Sequence, residues 1–548
     1  MRPTALLRAW LLSSTLSPAA NAVSPAPPAD RPRIVDVVCF VRGVEPRNPR
    51  LDLVEPVRNQ LALAKRHRVP ITFLFQYDAL LQPRFTDLLR REQGPSCEIG
   101  GWLEVVQPLA EAAGLQWRGR APWDPAAAVD LTIGYAPAER EKLVDAYMKE
   151  FRRLLGRLPR TVGSWALDAH TLGYLADRYG VIASCICKEQ IGNDGYTLWG
   201  GYWGQAYYPS RRNAFMPAQD PSEQIPIAVF RMAGSDPIEQ FGLGLGGARP
   251  GAITLEPACA EGGGTPSWVR WYLGAMQGPC LTFAFAQAGQ ENAYGWAPMA
   301  AGLLDQFPLL ARQAASGMLR VETLEQTARW YRSRFATTPA TAVTASSSTG
   351  GRDRTAVWYD SRFYRAGMLI ESDRLTIRDL HLFDQGCAEP NLAAATPFAA
   401  CRYETLPVMD GLLWGAGIRP VLGLEGASQP LRGLRPRIAE VGVDVLSVAW
   451  PTAASGTIEV RCRPAALEVS RAGAKGAAPW ALEMDLGSAA TSVVGVSPNA
   501  LRYQQGAYPY ALRCSVGRFC RTKDPRKIRI VPEDERIVLN LAPPPGRR

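Results

Sequence analysis

The segments IVDVVCF, residues 34–40, and VPITFLFQ, residues 69–76, flank an amphipathic stretch at residues 51–66. Both segments are short runs rich in β-branched and aromatic residues, which is typical of strands buried on both faces of a parallel sheet. The stretch between them has the length and the apolar spacing of a helix. Two strands joined through a helix form a parallel unit, so this part of the chain predicts an α/β fold.

The same alternation continues to about Phe335. Further strands are predicted at residues 96–103, 161–167, 181–187, 225–232, 252–255, 279–285 and 318–322, with helices between several of them. Repeated strand–helix units build either a parallel barrel or a doubly wound sheet. A count of about eight strands favours the barrel. We therefore assign residues 33–336 to a (β/α) barrel, the candidate catalytic domain.

The pattern changes after the barrel. Residues 337–351, TTPATAVTASSSTGG, are small and polar, which is typical of a linker. Beyond them helical periodicity fades, and strands are predicted at residues 356–370, 375–383, 457–463, 465–470 and 527–539. Glycine, proline and aspartate turns separate these strands. Residues 352–548 are therefore predicted to form a β-rich, sandwich-like C-terminal domain.

The N-terminus predicts export. Arg2 and Arg8 precede an apolar stretch, and Ala20-Asn21-Ala22 has the small-x-small form of a cleavage site. Residues 1–22 would then be a signal peptide and residues 23–32 a spacer rich in proline and alanine, with a periplasmic or secreted product. The alternative is a disordered leader, because serines and a proline interrupt the apolar stretch. No later stretch reaches the roughly 18 apolar residues that a membrane helix needs, so no membrane span is expected.

Charge and cysteine content limit the partners. The formal charge of +10 comes from scattered arginines, without the basic run or recognition helix typical of nucleic-acid binding. The eleven cysteines include two possible disulfide pairs, Cys514 with Cys520 and Cys387 with Cys401. The sequence leaves the oligomeric state open.

Acidic residues recur where the barrel strands end. In parallel barrels the site is built from several strand ends at once. Such positions hold Glu45, Asp78, Glu104, Asp168, Asp236, Glu256 and Glu291. Helix capping is an alternative explanation for Asp78 and Asp168. It explains Asp236 and Glu256 less well, because proline follows each of them directly.

Converging carboxylates are what glycosidic bond cleavage requires. One carboxylic acid protonates the leaving oxygen, and a second carboxylate attacks the anomeric carbon or activates water. Aromatic and amide side chains in the same loops could stack on sugar rings and bind hydroxyls. We assign Asp168, Asp236, Glu256 and Glu291 as candidate catalytic residues. We assign Glu45, Tyr77, Asp78, Trp102, Glu104, Trp165, Trp199, Tyr202, Gln287 and Trp296 as candidate substrate-binding residues.

The histidine content bears on metal chemistry. Only His67, His170 and His381 occur in the chain, and only His170 follows a predicted barrel strand. Zinc-dependent deacetylation uses imidazole ligands to hold the metal that activates water. Zinc is therefore disfavoured, and no cofactor is predicted. Calcium bound through carboxylates and carbonyls remains open, although no motif supports it.

Several segments resemble a known superfamily. They are EIGGWLE (residues 98–104), CKEQIGNDGYTLWGGYWGQAYYPSRRNAFMPAQ (187–219), FRMAGSDPIEQFG (230–242), TLEPAC (254–259), FAQAGQENAYGW (285–296) and WYDSRFYRAGMLIESDRLTIRDLHLFDQG (358–386). Together they resemble a bacterial two-domain family of formerly unknown function. That family belongs to the glycoside hydrolase/deacetylase superfamily, which includes polysaccharide deacetylases, family 38 mannosidases and family 57 amylases. The resemblance implies a (β/α)7 barrel.

The resemblance also implies roles. GSWALDAHTLGYLADRYGV, residues 163–181, is similar to the segment that holds the nucleophile in family 57, with Asp168 where that family has glutamate. GSDPIEQFG resembles the segment that holds the acid, which would make Asp236 the general acid. The first strand departs from the family because it lacks a histidine motif. Glu256 and Glu291 are equally eligible, so Asp236 with Glu256 is an alternative pair.

Three functions follow as hypotheses. The leading one is an exported glycoside hydrolase that acts on a poly- or oligosaccharide with paired carboxylates. The second is a metal-independent relative of polysaccharide deacetylases. The third is a non-catalytic barrel that binds glycan or serves as a scaffold.

Overall fold

We describe the chain from a computed structural model. It covers residues 30–193, 196–232, 234–239, 253–347, 353–403, 405–410, 417–422, 429–453, 455–473, 476, 478–487 and 492–544. The predicted signal peptide lies outside the described residues, as does most of the predicted spacer.

The first domain alternates strands and helices. Its strands are β1 (Arg33–Val41), β2 (Ile71–Phe75), β3 (Cys97–Trp102), β4 (Val162–Gly163), β5 (Ala183–Ile186), β6 (Gln190–Asn193), β7 (Tyr196–Leu198), β8 (Ala206–Tyr207), β9 (Ala228–Arg231), β10 (Ala284–Ala288) and β11 (Arg320–Glu322). Its helices are α1 (Val54–His67), α2 (Tyr77–Leu80), α3 (Pro83–Arg90), α4 (Gln107–Ala112), α5 (Ala127–Asp130), α6 (Pro137–Leu155), α7 (Ala169–Tyr179), α8 (Pro266–Ala275), α9 (Trp296–Ala315) and α10 (Leu324–Arg334). Single 3-10 turns lie at Thr132–Gly134, Pro221–Glu223 and Asn292–Tyr294.

Among the described residues, seven parallel strands form the barrel, and an eighth, β11, pairs in parallel with the first half of β1. Hydrogen bonds join them in the order β10-β1-β2-β3-β4, and β5 pairs in parallel with β9. A parallel bridge between Thr161 and Ala183 connects β4 to β5. Every residue of β1 is buried, because its partners and the surrounding helices cover both faces. The predicted parallel barrel is confirmed, with seven strands around its axis.

A side chain closes the barrel between β9 and β10. The antiparallel strand β8 lies beside β9, and the residue before it, Gln205, faces β10. The Gln205 amide oxygen accepts a hydrogen bond from the Phe285 backbone N–H at 2.8 Å, and its amide nitrogen donates to the Phe285 carbonyl at 3.4 Å. The Gln205 amide therefore satisfies backbone groups that a neighbouring strand would otherwise bind.

The helices follow from local signals that are readable in the sequence. The longest one before α9, α6, has proline at its first position, and the Glu139 carboxylate accepts a hydrogen bond from the Ala136 N–H at 2.8 Å. It ends at Gly156, whose φ of 76° is left-handed. Its buried face includes Leu143, Tyr147 and Phe151, which pack on the barrel.

The strands of the second domain pair antiparallel with one another, apart from one short strand that pairs in parallel with the barrel. They are β12 (Thr341–Ser347), β13 (Arg354–Asp360), β14 (Tyr364–Glu371), β15 (Arg374–Leu382), β16 (Cys401–Arg402), β17 (Leu406–Asp410), β18 (Gly417–Leu422), β19 (Gln429–Pro430), β20 (Arg437–Gly442), β21 (Val445–Pro451), β22 (Thr457–Arg463), β23 (Ala466–Ala472), β24 (Trp480–Asp485), β25 (Val493–Ser497), β26 (Ala500–Gln505), β27 (Tyr508–Val516), β28 (Arg518–Arg521), β29 (Lys527–Val531) and β30 (Arg536–Asn540). One sheet has the order β12-β13-β14-β15-β18-β24-β29-β28, and the other β20-β21-β22-β23-β30-β27-β26-β25.

The two sheets pack against each other. Tyr503 and Tyr510 of the second sheet stack at 5.1 Å between ring centroids and donate hydrogen bonds to the Val408 and Pro407 carbonyls of the first. This arrangement confirms the predicted β-rich domain.

The two domains share an extensive contact. Trp203 of the barrel stacks on Trp358 of β13 with ring centroids 4.5 Å apart and planes inclined by 6°. The short strand β16 pairs in parallel with β7 of the barrel. Glu389 accepts hydrogen bonds from the Ala169 and Ala214 N–H groups of the barrel, both at 2.9 Å. One hydrophobic cluster runs through both domains.

Three local expectations differ from the structure. The predicted linker contains β12, which pairs antiparallel with β13 along its length. Residues 253–255, predicted within a strand, contribute only a bridge from Thr254 to Ser235. No disulfide bond joins Cys387 to Cys401 or Cys514 to Cys520 in the structure, so neither predicted pair is formed.

We predict that Gln205→Leu destabilises the fold. The substitution keeps most of the side-chain volume but leaves the buried Phe285 N–H without its acceptor, which costs about 1–3 kcal/mol. Chemical denaturation measures the change in the free energy of unfolding. The control is Gln224→Leu, because Gln224 makes its bond to the Ala336 carbonyl at the surface. Equal stability of the two variants would contradict the closing role of Gln205.

Candidate functional site

A buried arginine lies where β1 ends. The Arg42 side chain is 1% exposed and contacts carboxylates from three loops. Its Nη2 lies 3.3 Å from Glu104 Oε1, its Nε 3.2 Å from Glu291 Oε2, and its Nη1 3.9 Å from Glu45 Oε2. These loops follow β1, β3 and β10, so Arg42 gathers the carboxyl ends of three barrel strands at one point.

Glu104 is the most heavily bound of these carboxylates. Its side chain is fully buried. Besides Arg42, its oxygens accept hydrogen bonds from Gln76 at 2.8 Å and from the indoles of Trp102 at 2.7 Å, Trp165 at 2.9 Å and Trp123 at 3.3 Å. Five donors on one carboxylate restrict its movement and fix the surrounding aromatic rings.

Glu291 occupies the loop after β10. Gly289 makes this loop possible, because its φ of 97° is left-handed and a Cβ there would lie 2.2 Å from the Val38 carbonyl oxygen. Burial raises the pKa of Glu291 to about 7, with Arg42 opposing the shift and the charges of Glu104 and Glu256 adding to it. Glu291 is therefore a carboxyl that holds its proton near neutral pH.

Glu256 has the opposite electrostatic surroundings. The Lys188 ammonium lies 2.7 Å from its Oε2, Thr254 donates to the same oxygen at 2.9 Å, and Gln290 donates to Oε1 at 3.1 Å. Burial alone would raise the pKa of Glu256, but the Lys188 charge and these hydrogen bonds outweigh it, and the net pKa is lowered. Glu256 is thus an anion whose side chain is 21% exposed.

Two further acids line the same end of the barrel. Asp78 Oδ1 accepts hydrogen bonds from the N–H groups of Gly43 at 3.2 Å and Ala79 at 2.7 Å. Burial nevertheless raises the pKa of Asp78 to about 6. Burial would also raise the pKa of Glu45, but hydrogen bonds from Arg47 lower it overall. The pKa is therefore raised for Asp78, as it is for Glu291, and lowered for Glu45, as it is for Glu256.

Aromatic rings surround the Arg42 guanidinium. Its Cζ lies 4.2 Å from the centroid of Trp123 and 5.9 Å from that of Trp165. Trp102 is fully buried and packs against Trp165 at 5.0 Å. Trp296 is half-buried at the start of α9. Trp165 and Trp296 are therefore the predicted aromatic residues of this region that remain partly accessible.

Asp168 lies elsewhere, at the N-terminus of α7. It is fully buried and accepts four hydrogen bonds: from Arg140 at 2.9 Å, from Thr132 at 2.6 Å, and from the Thr171 N–H at 2.9 Å and hydroxyl at 2.7 Å. These contacts use both carboxylate oxygens. The geometry is that of a helix cap, so the role of nucleophile is not supported and the alternative explanation fits better.

Asp236 makes its hydrogen bonds in the turn after β9 and to Trp268. Its Oδ1 accepts hydrogen bonds from the Ile238 and Glu239 N–H groups, and its Oδ2 accepts one from the Trp268 indole at 3.0 Å. Burial raises its pKa. The carboxyl therefore stabilises the turn after β9 and fixes the position of Trp268, which is a structural role.

Four predicted substrate-binding residues make contacts other than those of the Arg42 cluster. Tyr77 packs on Tyr147 of α6, with ring centroids 5.9 Å apart. Trp199 donates to Asp410 at 2.7 Å and Tyr202 to the Pro339 carbonyl at 2.8 Å, so both belong to the domain interface. Gln287 is a buried residue of β10, and its side-chain oxygen makes no hydrogen bond to the described residues.

The site contains residues that the sequence reasoning missed. They are Arg42, Gln76, Trp123, Lys188 and Gln290. Lys188 directly follows a predicted strand and Arg42 lies two residues beyond one, the same kind of position that singled out the acids. A search of strand ends for every charged residue, and not only for carboxylates, would have found both cations.

The structure also bears on metal binding and on membrane insertion. No group of three histidine, cysteine or acidic side chains within the described ranges is placed to hold a metal ion. His170 lies 3.1 Å from Glu141, away from the Arg42 cluster. None of the helices described above is long and apolar enough to cross a membrane.

No protein-family model and no curated protein sequence matches this chain. Its fold is similar to that of several solved structures. One is a candidate glycoside hydrolase/deacetylase from Parabacteroides distasonis, at 14% identity over 70% of this chain and 89% of that chain, with a TM-score of 0.49. A candidate polysaccharide deacetylase from Mycobacterium smegmatis shares 16% identity over 58% and 96% of the two chains, with a TM-score of 0.36.

A third similar structure is 4-alpha-glucanotransferase from Thermococcus litoralis, at 9% identity over 93% of this chain and 99% of that chain, with a TM-score of 0.29. At these scores the fold assignment rests on the strand pairing itself.

We predict that Asp168→Asn lowers stability. The substitution leaves the buried Arg140 charge without its counter-ion, which costs about 3–5 kcal/mol. Thermal and chemical denaturation measure the loss. Asp177→Asn, an exposed acid of the same helix, is the matched control and should change stability by less than about 0.5 kcal/mol. Wild-type stability of Asp168→Asn would contradict the capping role.

Proposed function

We propose that this chain is an exported glycoside hydrolase that cleaves a poly- or oligosaccharide. The observation that supports this proposal is the pair formed by Glu256 and Glu291. Their surroundings move the two pKa values in opposite directions, downward for Glu256 and to about 7 for Glu291. Two carboxyls with separated pKa values can act at the same pH as an anion and as an acid.

The roles follow from the protonation states. Glu291 would protonate the glycosidic oxygen as the bond to the anomeric carbon breaks, and Glu256 would either attack that carbon or take a proton from water. Lys188 keeps Glu256 ionised through its 2.7 Å contact. The charge of Glu256 in turn contributes to the raised pKa of Glu291, so the two carboxyls are close enough to interact.

Neighbouring groups offer contacts for a sugar. The partly accessible Trp165 ring is held in place by its indole bond to Glu104, so it would present a rigid surface to a pyranose face. Arg47, whose side chain is 53% exposed, lies beside Glu45 at the edge of the site. In this proposal Asp168 and Asp236 stabilise loops, and Glu256 with Glu291 replaces the pair implied by the family resemblance.

We predict a bell-shaped pH dependence of kcat/KM. Activity requires Glu256 ionised and Glu291 protonated, so it falls as pH drops through the lowered pKa of Glu256. It also falls as pH rises through about 7, where Glu291 loses its proton. Beyond each limit the loss is about tenfold per pH unit. Initial rates on an aryl glycoside measure the profile. They are recorded from pH 3 to 10, roughly the range over which carboxyl and lysine side chains titrate.

The Glu291→Gln variant supplies the control for this profile. Glutamine cannot ionise, so its basic limb near pH 7 should disappear while the acidic limb remains. A basic limb that persists in this variant would assign it to another group.

We predict that the two glutamates have different mutant phenotypes. Glu291→Gln should lose about 10²–10⁴-fold in kcat on natural glycosides and much less on aryl glycosides whose leaving group needs no proton. Glu256→Gln should lose activity on both kinds of substrate, because the anion is required in every case. Hydrolysis of a panel of glycans and aryl glycosides measures both losses.

The matched control is Glu322→Gln, which makes the same chemical change in β11. β11 pairs with the first half of β1, at the opposite end of the barrel from Arg42. Activity in a folded Glu256→Gln and Glu291→Gln double variant would refute the catalytic pair.

The alternatives make distinct predictions on the same panel. Release of acetate from acetylated glycans without release of sugar would favour a relative of the deacetylases. Glycan binding without turnover would favour a non-catalytic barrel. Export is tested separately by expressing the full chain and sequencing the N-terminus of the mature protein, for which we expect Val23 as the first residue.

A further inference from the structure

The second domain contributes a buried arginine to the interface with the barrel. Arg365 of β14 is fully buried and makes two hydrogen bonds of 2.9 Å to Asp379 of β15. Its Nη1 also binds Glu189 of the barrel and donates to the Gly201 carbonyl at 3.3 Å. Arg365 therefore connects its own sheet to the barrel loop that follows β5.

Glu189 is the residue next to Lys188. Its carboxylate is buried and also accepts a hydrogen bond from the Gly200 N–H at 2.9 Å. The preceding side chain, Lys188, instead reaches Glu256 in the proposed catalytic pair. Two consecutive residues are thus anchored to different partners, one in the second domain and one in the barrel site.

We infer that Arg365 is a positioning residue: by fixing Glu189, it holds Lys188 on Glu256. The inference rests on the proposed function in so far as Glu256 is catalytic. Its physical basis is the shortness of the connection, because one peptide unit separates the two anchored residues. Releasing Glu189 gives the segment freedom to move, and Lys188 then spends less time against Glu256.

Two features favour this role over simple packing. Arg365 is already paired with Asp379 inside its own sheet, so its bond to Glu189 is not required to neutralise it. Glu189 also lies near Arg231, the last residue of β9, so a cation of the barrel already offsets part of its charge. Each of the two residues thus has another partner of opposite charge. The Arg365–Glu189 bond therefore serves mainly to fix the position of Glu189 relative to the second domain.

Two variants test the inference. Glu189→Gln keeps the side-chain shape and leaves the Arg365–Asp379 pair intact, so it should fold. Arg365→Lys keeps the charge and loses the forked geometry. Reductive methylation of the native full-length protein, quantified by peptide mass spectrometry, measures the accessibility of Lys188 without reference to activity. We expect severalfold faster methylation of Lys188 in both variants than in the wild type.

The control for labelling is Arg419→Met. It removes an ion pair with Glu483 from the same sheet, 2.9 Å in length, but makes no contact with the Lys188 loop. Methylation of Lys188 should remain at the wild-type rate in this variant. Unchanged methylation of Lys188 in a folded Glu189→Gln variant would overturn the inference, whether or not the protein hydrolyses glycosides.

Activity provides a second readout. When Lys188 moves away, the pKa of Glu256 rises, so the acidic limb of kcat/KM should shift to higher pH in Glu189→Gln. The same substitution should cause no further shift in a Lys188→Met background, because its effect passes through Lys188. Additive shifts would overturn the inference. Faster methylation in a protein that is inert on every glycoside would support the positioning role and refute the proposed function.

Discussion

Burial of the Arg42 guanidinium is the constraint on which the site depends. An arginine that is 1% exposed cannot lose its charge, so carboxylates must surround it. The acids that do so, Glu45, Glu104 and Glu291, come from loops that are far apart in the chain. Their attraction to one cation fixes the ends of β1, β3 and β10 relative to one another. The indoles that bind Glu104 then take their positions from the same centre.

The interface between the domains is also held by buried polar groups, here together with stacked aromatic rings. Trp203 stacks on Trp358, and at the same interface Arg365 binds Glu189 and Glu389 binds backbone N–H groups of the barrel. Burial raises the pKa of Glu389 to about 8, and the nearby Asp168 charge adds to the shift. Charged groups placed this deeply tolerate little displacement, because an unpaired buried charge is costly. The barrel and the sandwich are therefore held in one arrangement.

The sequence was sufficient for the architecture because the decisive signals are local. The run at residues 34–40, the amphipathic stretch at residues 51–66 and the turns of the second domain each depend on neighbours along the chain. The position of acids at strand ends also predicted Glu45, Glu104 and Glu291 in one cluster. It could not distinguish Asp168, which occupies the same kind of position but turns toward Arg140 and caps α7. That difference depends on contacts between distant residues, as do the inward burial of Trp199 and the barrel closure by Gln205.

The balance of charge explains which carboxyls hold protons. At this end of the barrel Arg42 lies close to Glu104 and Glu291, Arg47 to Glu45, and Lys188 to Glu256. Asp78 and Glu291 have raised pKa values, about 6 and about 7, because burial outweighs the nearby positive charge, which for Glu291 is Arg42 at 3.2 Å. Asp78 is engaged by two backbone N–H groups, which favour its anion. Glu291 lacks such donors among the described residues, so the proton that bond cleavage requires is retained most readily there.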